Sequence, residues 1–240
     1  SEERIKLAVK KAFEEYGYHK GHECSIILAH GKTALPYLRE AFDNSEGREK
    51  LFCAHALAVL EDGYGLETLI DHVNDTAWDR GHPRPTSRMS DMDRLVIALS
   101  RPGDKRATAA IVKKIEELDS QSAFTHFRAV SIALDRLKDP AAAKALADLL
   151  EKSKMSGYAV KTIEQARHID KLAMSRLGVA ARTTFTFYAR MLSIRELSLA
   201  RSLYRCGDHN GIGERILKEY SHDLRGVLAA HAVSVLAERN

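Results

Sequence analysis

Cationic side chains interleaved with aromatic rings are the residues of this sequence best suited to specific chemistry. The segment 152–195 contains nine Lys and Arg residues and only two acidic ones, whereas the rest of the chain has a small negative balance. Aromatic residues lie among these charges at Tyr158, Phe185, Phe187 and Tyr188. Positive charge beside aromatic rings suits a nucleic acid or an acidic protein surface. The candidate binding residues of this segment are Lys161, Arg167, Arg176, Arg182 and Arg190.

A second basic and aromatic cluster lies in the stretch 74–93. This stretch contains two prolines and no apolar period, so we expect a long loop, with Asp91 or Asp93 capping the helix that follows. Loops on a helical-repeat scaffold often carry binding groups. The candidate partner-binding residues of this loop are Trp78, Arg80, His82, Arg84 and Arg88. For the basic segment 152–195, the alternative is a solvated helix face whose apolar stripe lies in the core.

Three short motifs resemble ligand sites, and each is better explained as a turn. The glycine-rich stretch 207–213 lacks the spacing and the preceding strand of a dinucleotide-binding loop, and the tripeptide at 31–33 lacks the earlier glycine of a phosphate-binding loop. The His/Glu group at 19–23 matches no closed zinc site. No serine or cysteine occupies a strand–turn–helix elbow. The sequence therefore assigns no catalytic residue, no metal ligand and no cofactor.

A recurring pattern indicates the scaffold that must position these groups. The pattern is six residues long: it begins with Leu, has an apolar or small residue at its fourth position and ends with Asp. It recurs with its leucine at Leu57, Leu99, Leu134 and Leu203. The last interval is roughly two units of about 35 residues, a period typical of helical solenoids, in which paired helices stack on their neighbours. Each aspartate of the pattern falls between paired helices, where we expect it to cap a helix.

Apolar spacing at the helical period covers most of the chain. Helices are predicted at 2–16, 22–30, 33–42, 48–61, 66–73, 94–101, 105–118, 123–138, 140–152, 195–206, 210–220 and 225–238. The fold class is therefore expected to be all-α, a right-handed α-α superhelix of about five to six helix pairs. One helical-repeat domain is expected over 1–240, with a long loop insertion at 74–93 and an irregular basic segment at 153–194. Helix is favoured over strand in the aromatic tract 183–188, because no partner strand exists elsewhere.

The repeats resemble a known class of helical protein. Segments 48–75, 94–118, 127–152 and 195–223 are similar to HEAT-like, or armadillo-like, repeats of the phycobilisome-lyase type. In that class an Ala- and Leu-rich helix ends in an aspartate-containing turn before a second Leu-rich helix. The resemblance covers roughly half of the chain, implies a HEAT-like solenoid, and says little about function.

A second resemblance lies near the C-terminus. The stretch LYRCGDHNG at 203–211, followed by Tyr220, Asp223 and Arg225, looks like the helical region after the flavin domain of some bacterial FAD-dependent oxidoreductases. This resemblance implies an accessory domain. Because the flavin fingerprint itself is absent, it carries no cofactor role to any residue.

Composition narrows the class of protein further. The chain is 45% hydrophobic and 29% charged, which is ordinary for a soluble folded protein. Its three cysteines form no C-x-x-C pair, which favours a reducing compartment and hence the cytoplasm, with the periplasm as the alternative. No signal peptide is visible and no apolar run approaches the length of about 18 residues that a membrane helix needs, so no membrane partner is expected. The chain begins at Ser1 without methionine, as an excised domain would.

These features favour a non-enzymatic function. We expect a helical-repeat scaffold or protein-interaction module with a protein partner, and an accessory domain of an oxidoreductase is one form of it. The first alternative is DNA binding along a basic surface, as HEAT-like repeats of some DNA-repair glycosylases do. The second alternative, a bilin lyase-like protein, follows from the repeat type alone. The oligomeric state is not predicted.

Overall fold

The computed structural model describes residues 2–14, 22–81, 89–169 and 185–239. These residues are all-α, with turns and short 3-10 segments as connections and no strand among them. The predicted fold class is therefore confirmed at the level of all-α. None of the helices in these ranges is long and apolar enough to cross a membrane.

The helices follow the predicted order closely. Their bounds are α1 Glu2–Glu14, α2 His22–His30, α3 Leu35–Asp43, α4 Gly47–Val59, α5 Leu66–Asp75, α6 Asp91–Ser100, α7 Thr108–Glu116, α8 Phe124–Leu137, α9 Ala143–Glu151, α10 Phe185–Arg205, α11 Ile212–Tyr220 and α12 Gly226–Leu236. A further helical segment covers 163–169. The tract from Phe185 onward is helical, as favoured, while positions 183 and 184 lie outside the described residues.

Asp104, Asp139 and Asp208 of the recurring pattern bind the starts of helices or of the short 3-10 turns before them, as predicted, whereas Asp62 caps no helix, because its bond lies within the turn before α5 and Gly65 is the N-cap there. Asp62, Asp104 and Asp139 each accept a hydrogen bond from the backbone N–H two residues on, at 2.9, 2.9 and 3.2 Å. Asp208 accepts from the backbone N–H groups five and six residues on, both at 2.9 Å, and so binds the start of α11. The bonds to Asp104, Asp139 and Asp208 satisfy N–H groups that a helix start leaves without an intrahelical acceptor.

The start of α6 differs from the prediction that Asp91 or Asp93 is its cap. Ser90 is the N-cap residue, and its hydroxyl accepts from the Asp93 N–H at 3.2 Å. The Asp93 carboxylate accepts in return from the Ser90 N–H at 2.9 Å, which completes a capping box. Asp93 therefore sits one turn inside the helix, where its side chain is fully buried.

From α4 to α10 the helices pack in two rows around the main hydrophobic core. In one row α4 contacts α6, α6 contacts α8 and α8 contacts α10; in the other α5 contacts α7 and α7 contacts α9. Successive helices such as α4 and α5, or α7 and α8, contact each other across the rows. Each helix buries an apolar stripe between the rows, so a helix needs its neighbours to complete the core.

The helices α8 and α10 run parallel and in direct contact, although they are far apart in sequence. The Ser202 hydroxyl donates to the Ser131 carbonyl at 3.2 Å, and the Cys206 thiol lies 3.8 Å from the Leu134 carbonyl. The long interval between Leu134 and Leu203 suggested two repeat units. Because α8 and α10 are in contact, no extra helix pair is stacked between them.

Candidate functional site

A groove runs between α8 and α10, with a cavity volume of about 490 Å³. This volume lies within the range of ligand pockets, roughly 300–1,000 Å³. Its apolar lining consists of Phe124, Phe127, Ile132, Met191 and Ile194. Its polar lining consists of Arg128, Ser131, Arg190, Arg195, Ser198 and Arg201. Four arginines and no acidic residue thus line an otherwise apolar groove.

Helical periodicity explains why these residues share a surface. On α8 the lining residues lie at intervals of three or four from Phe124 to Ile132, and on α10 they do so from Arg190 to Arg201. Residues three and four apart lie on one helix face. Because α8 and α10 run parallel, the two faces meet along a common line and form the two walls of this α8–α10 groove.

The arginines of the groove differ in how they are held. Arg128 and Arg190 are exposed, and neither takes part in the ion pairs found among the described residues. Arg195 is 4% exposed; its guanidinium lies 5.2 Å from the centroid of the Phe127 ring and donates to the Lys154 carbonyl. The rim of the groove therefore carries accessible positive charge, while Arg195 forms part of its wall.

Two buried polar atoms at the groove have no hydrogen-bond partner. The Ser131 hydroxyl and the Nε of Arg201 are both inaccessible to solvent and unpartnered. The rest of the Arg201 guanidinium is engaged, since Nη2 lies 2.6 Å from Asp135 Oδ2 and Nη1 donates to His231 Nε2 at 3.3 Å. Buried polar groups are normally satisfied, so each exception calls for an explanation.

The structure separates the candidate residues of the basic segment. Arg190 lines the α8–α10 groove. Lys161 instead borders a shallow depression beside α11, where Glu214, Lys218 and other residues of both charges lie. Arg167 is exposed on the helical segment 163–169. Arg176 and Arg182 lie outside the described residues.

The loop after α5 uses its aromatic ring for packing. The Trp78 ring is half-buried and stacks on the His126 ring with centroids 4.2 Å apart, and its Nε1–H donates to the Lys114 carbonyl at 3.0 Å. Arg80 is exposed. His82, Arg84 and Arg88 lie outside the described residues. Within the described part of this loop, Trp78 thus anchors the chain to α7 and α8.

Several buried titratable groups are engaged in structure rather than open to a ligand. Burial raises the pKa of the Cys53 and Cys206 thiols to about 12 in each case. The Glu196 carboxylate accepts from the N–H groups of Gly157 and Tyr158 at 2.7 and 2.8 Å and so ties the segment after α9 to α10. Among the described residues, no three His, Cys, Asp or Glu side chains are grouped so as to hold a metal ion.

Arg128, Ser131 and Arg201 complete the groove around Arg190, and they were not among the residues predicted from the sequence. A signal for the α10 half existed, because Arg190 and Arg201 share a helical face with the apolar residues between them. No comparable signal pairs α8 with α10, because only their packing brings them together. Comparison with protein-family models, with curated proteins and with solved structures finds no match.

Proposed function

We propose that this chain is a non-enzymatic helical-repeat scaffold that binds an acidic segment of a partner protein in the α8–α10 groove. The observation that carries the proposal is the lining of the groove, which combines four arginines and an apolar surface with no acidic residue. Charge complementarity guides encounter and register in protein association, while apolar side chains supply most of the affinity. An acidic segment with apolar neighbours is the occupant that fits both features.

The arrangement of the helices supports a scaffold of the HEAT-like type. Many helices of the described chain contact the next one, and from α4 to α10 each contacts the next but one, as expected for a right-handed α-α superhelix of stacked helix pairs. The resemblance of the C-terminal repeats to the helical region of FAD-dependent oxidoreductases makes a companion oxidoreductase domain one form that the partner would take. Solenoids present binding surfaces along their length, and the α8–α10 groove follows two neighbouring helices of one row.

The chemistry of the buried groups supports a binding role over catalysis. A catalytic nucleophile needs activation, yet burial holds the pKa of the thiols of Cys53 and Cys206 far above neutral pH. The buried carboxylates of Glu196 and Asp93 are engaged by hydrogen bonds from the fold itself. These groups position helices and loops, and they leave the arginines of the groove as the accessible chemistry.

Selection from a random peptide library displayed on phage tests this proposal. We expect enrichment of acidic peptides with apolar residues, and loss of their binding when Arg128→Gln and Arg190→Gln are combined. The matched control combines Arg4→Gln with Lys32→Gln, which removes the same charge from exposed positions outside the groove. The proposal fails if nothing is enriched, or if the enriched peptides bind the groove variant as tightly as the wild type.

Nucleic-acid binding is the second candidate, and the pair of exposed arginines on the groove favours it. Arg128 and Arg190 lie at the same groove as the ring of Phe124, so a phosphate and a stacked base could be bound together. Fluorescence anisotropy with a labelled single strand and a labelled duplex tests this function. Binding that weakens steeply with salt and that is lost in the Arg128→Gln, Arg190→Gln variant would favour it over protein binding.

A further inference from the structure

We infer that the floor of the α8–α10 groove is a carboxylate pocket, in which Ser131 and Arg201 bind one Asp or Glu side chain of the partner segment. This inference rests on the proposed function, because it assigns the residue of the acidic segment that enters the groove. It adds that the recognised group is a carboxylate and that the Ser131 hydroxyl and the Nε of Arg201 recognise it.

The first observation concerns the hydroxyl group of Ser131. The residue is 1% exposed, lines the groove, and its hydroxyl has no hydrogen-bond partner. A serine inside a helix commonly donates to the carbonyl four residues earlier. The hydroxyl of Ser202 on α10 has three acceptors within reach, Asp135 Oδ1 at 2.9 Å and the carbonyls of Ser198 and Ser131 at 3.1 and 3.2 Å. The hydroxyl of Ser131 is therefore a buried donor that the fold leaves unused.

The second observation concerns the guanidinium group of Arg201, which lies on α10, the opposite wall of the groove. Its Nε is buried and unpartnered, while Nη2 is held by Asp135 at 2.6 Å. Asp135 lies one helical turn after Ser131 on α8, and the Ser202 hydroxyl donates to the carbonyl of Ser131. Ser131 and Arg201 therefore belong to the same stretch of the α8–α10 contact. Asp135 fixes the guanidinium in place and leaves Nε without a hydrogen-bond acceptor.

A carboxylate satisfies both donors better than a neutral group would. Its two oxygens accept hydrogen bonds and offer no donor, and hydrogen bonds between ionised groups are about twice as strong as neutral ones. The exposed guanidinium groups of Arg128 and Arg190 reinforce the preference for negative charge at the rim. Apolar side chains of Phe127 and Ile194 line the same groove, so the residues beside the acidic one are expected to be apolar.

Calorimetric titration of the chain with a designed peptide tests this pocket. The probe is the capped peptide Ser-Leu-Phe-Glu-Leu-Phe-Ser, and its control replaces Glu with Gln, which keeps the shape and removes the charge. We expect the Gln peptide to bind at least about tenfold more weakly. Octanoate is the third ligand and should bind more weakly than the Glu peptide, because it lacks the flanking side chains.

Two variants separate recognition from folding. Ser131→Ala removes a hydroxyl that makes no bond in the fold, so we expect an unchanged or higher urea midpoint together with at least about fivefold weaker binding of the Glu peptide. Arg201→Lys keeps the positive charge and removes the Nε donor, and we expect the same weakening. The control Ser221→Ala lies outside the groove, where its hydroxyl donates to the Lys218 carbonyl, and should leave the affinity unchanged.

The outcomes distinguish this inference from the proposed function. Equal affinity for the Glu and Gln peptides, or unchanged affinity in Ser131→Ala, overturns the carboxylate pocket. Octanoate binding as tightly as the peptide also overturns it, because the occupant would then be a free carboxylic acid. If library peptides are acidic and depend on Arg128 and Arg190 but bind the Ser131→Ala variant as tightly as the wild type, the proposed function stands and only the pocket is wrong.

Discussion

His126 Nδ1 lies 2.7 Å from Asp93 Oδ1, and both side chains are buried between α6 and α8. The other ring nitrogen of His126 faces the Asp79 carbonyl oxygen at 3.2 Å. The imidazole thereby links α6, α8 and the loop that follows α5, while the Trp78 ring covers its face. One contact between two polar side chains thus fastens a loop that the sequence shows only as irregular.

Replacing Asp93 with Asn tests this link. Burial alone would raise the pKa of Asp93, but hydrogen bonds from His126, Thr125 and the Ser90 N–H outweigh it and leave the pKa below its usual value. Asn keeps one acceptor oxygen and presents an NH2 donor in place of the other, so either His126 or the Ser90 N–H loses its acceptor, and we expect a loss of about 3 kcal/mol in the free energy of unfolding. Urea unfolding followed by circular dichroism measures it. Asp71→Asn, at an exposed position on α5, should change the value by less than about 0.5 kcal/mol.

The glycine at the tight approach to His126 offers a second test. Gly81 has a φ of +53°, and a Cβ there would lie 2.5 Å from both Ala123 Cβ and His126 Cε1. Gly103 has a φ of +75° but faces open space, so it serves as the matched control. Both alanine variants carry the cost of a left-handed backbone, and Gly81→Ala should lose about 1 to 3 kcal/mol more because of the clash. Equal losses would show that the loop moves away without cost.

Acid should destabilise the chain through His55 on α4. Burial, with a smaller contribution from Arg94, lowers the pKa of His55 to about 4. Above pH 6.5 the ring is neutral in both states; as the pH falls towards 4, the unfolded chain takes up a proton that the folded chain does not. Stability is therefore lost over that window, by up to about 3 kcal/mol. Unfolding of wild type and His55→Gln at pH 7.5 and 4.5 should show a smaller acid loss for the variant, and equal losses would contradict this.

Glu196 should control the segment that follows α9. Burial raises the pKa of this carboxyl, even though the N–H groups of Gly157 and Tyr158 and the Tyr220 hydroxyl donate to it. Glu196→Gln turns one acceptor into a donor and leaves a buried N–H unmatched, at a cost of about 1 to 3 kcal/mol. We expect faster hydrogen exchange over 155–160, measured by mass spectrometry, with little change in α4.

The raised pKa of Glu196 also determines whether this residue adds or removes folding stability as the pH changes. The unfolded chain loses this proton near pH 4.5, before the folded chain does, so Glu196 lowers stability as the pH rises through that point. The Glu196→Gln variant lacks this term. Glu214→Gln, in an i, i+4 pair with Lys218 on α11, is the control and should leave exchange over 155–160 unchanged.

Most of the fold was predictable from local sequence. Most helix bounds follow from apolar periodicity, although α10 begins at Phe185, well before the predicted 195. The caps at Asp104, Asp139 and Asp208 follow from aspartate at the turn between paired helices. Both signals act within a few residues, because a helical hydrogen bond spans four positions and a capping bond spans two to six. The cap at α6 was assigned to Asp91 or Asp93, whereas Ser90 is the N-cap residue and Asp93 completes the capping box from inside the helix.

The candidate site needed the tertiary structure. Local sequence placed Arg190 in an irregular, helix-prone basic segment and Trp78 in a loop. Only packing determined that Arg190 meets Arg128 and Ser131 from α8, and that Trp78 stacks on His126. Nothing local encodes which helices become neighbours when roughly fifty residues separate them. Which helices pack together depends on the burial of complementary apolar faces. The polar groups at the edges of those faces become neighbours as a consequence.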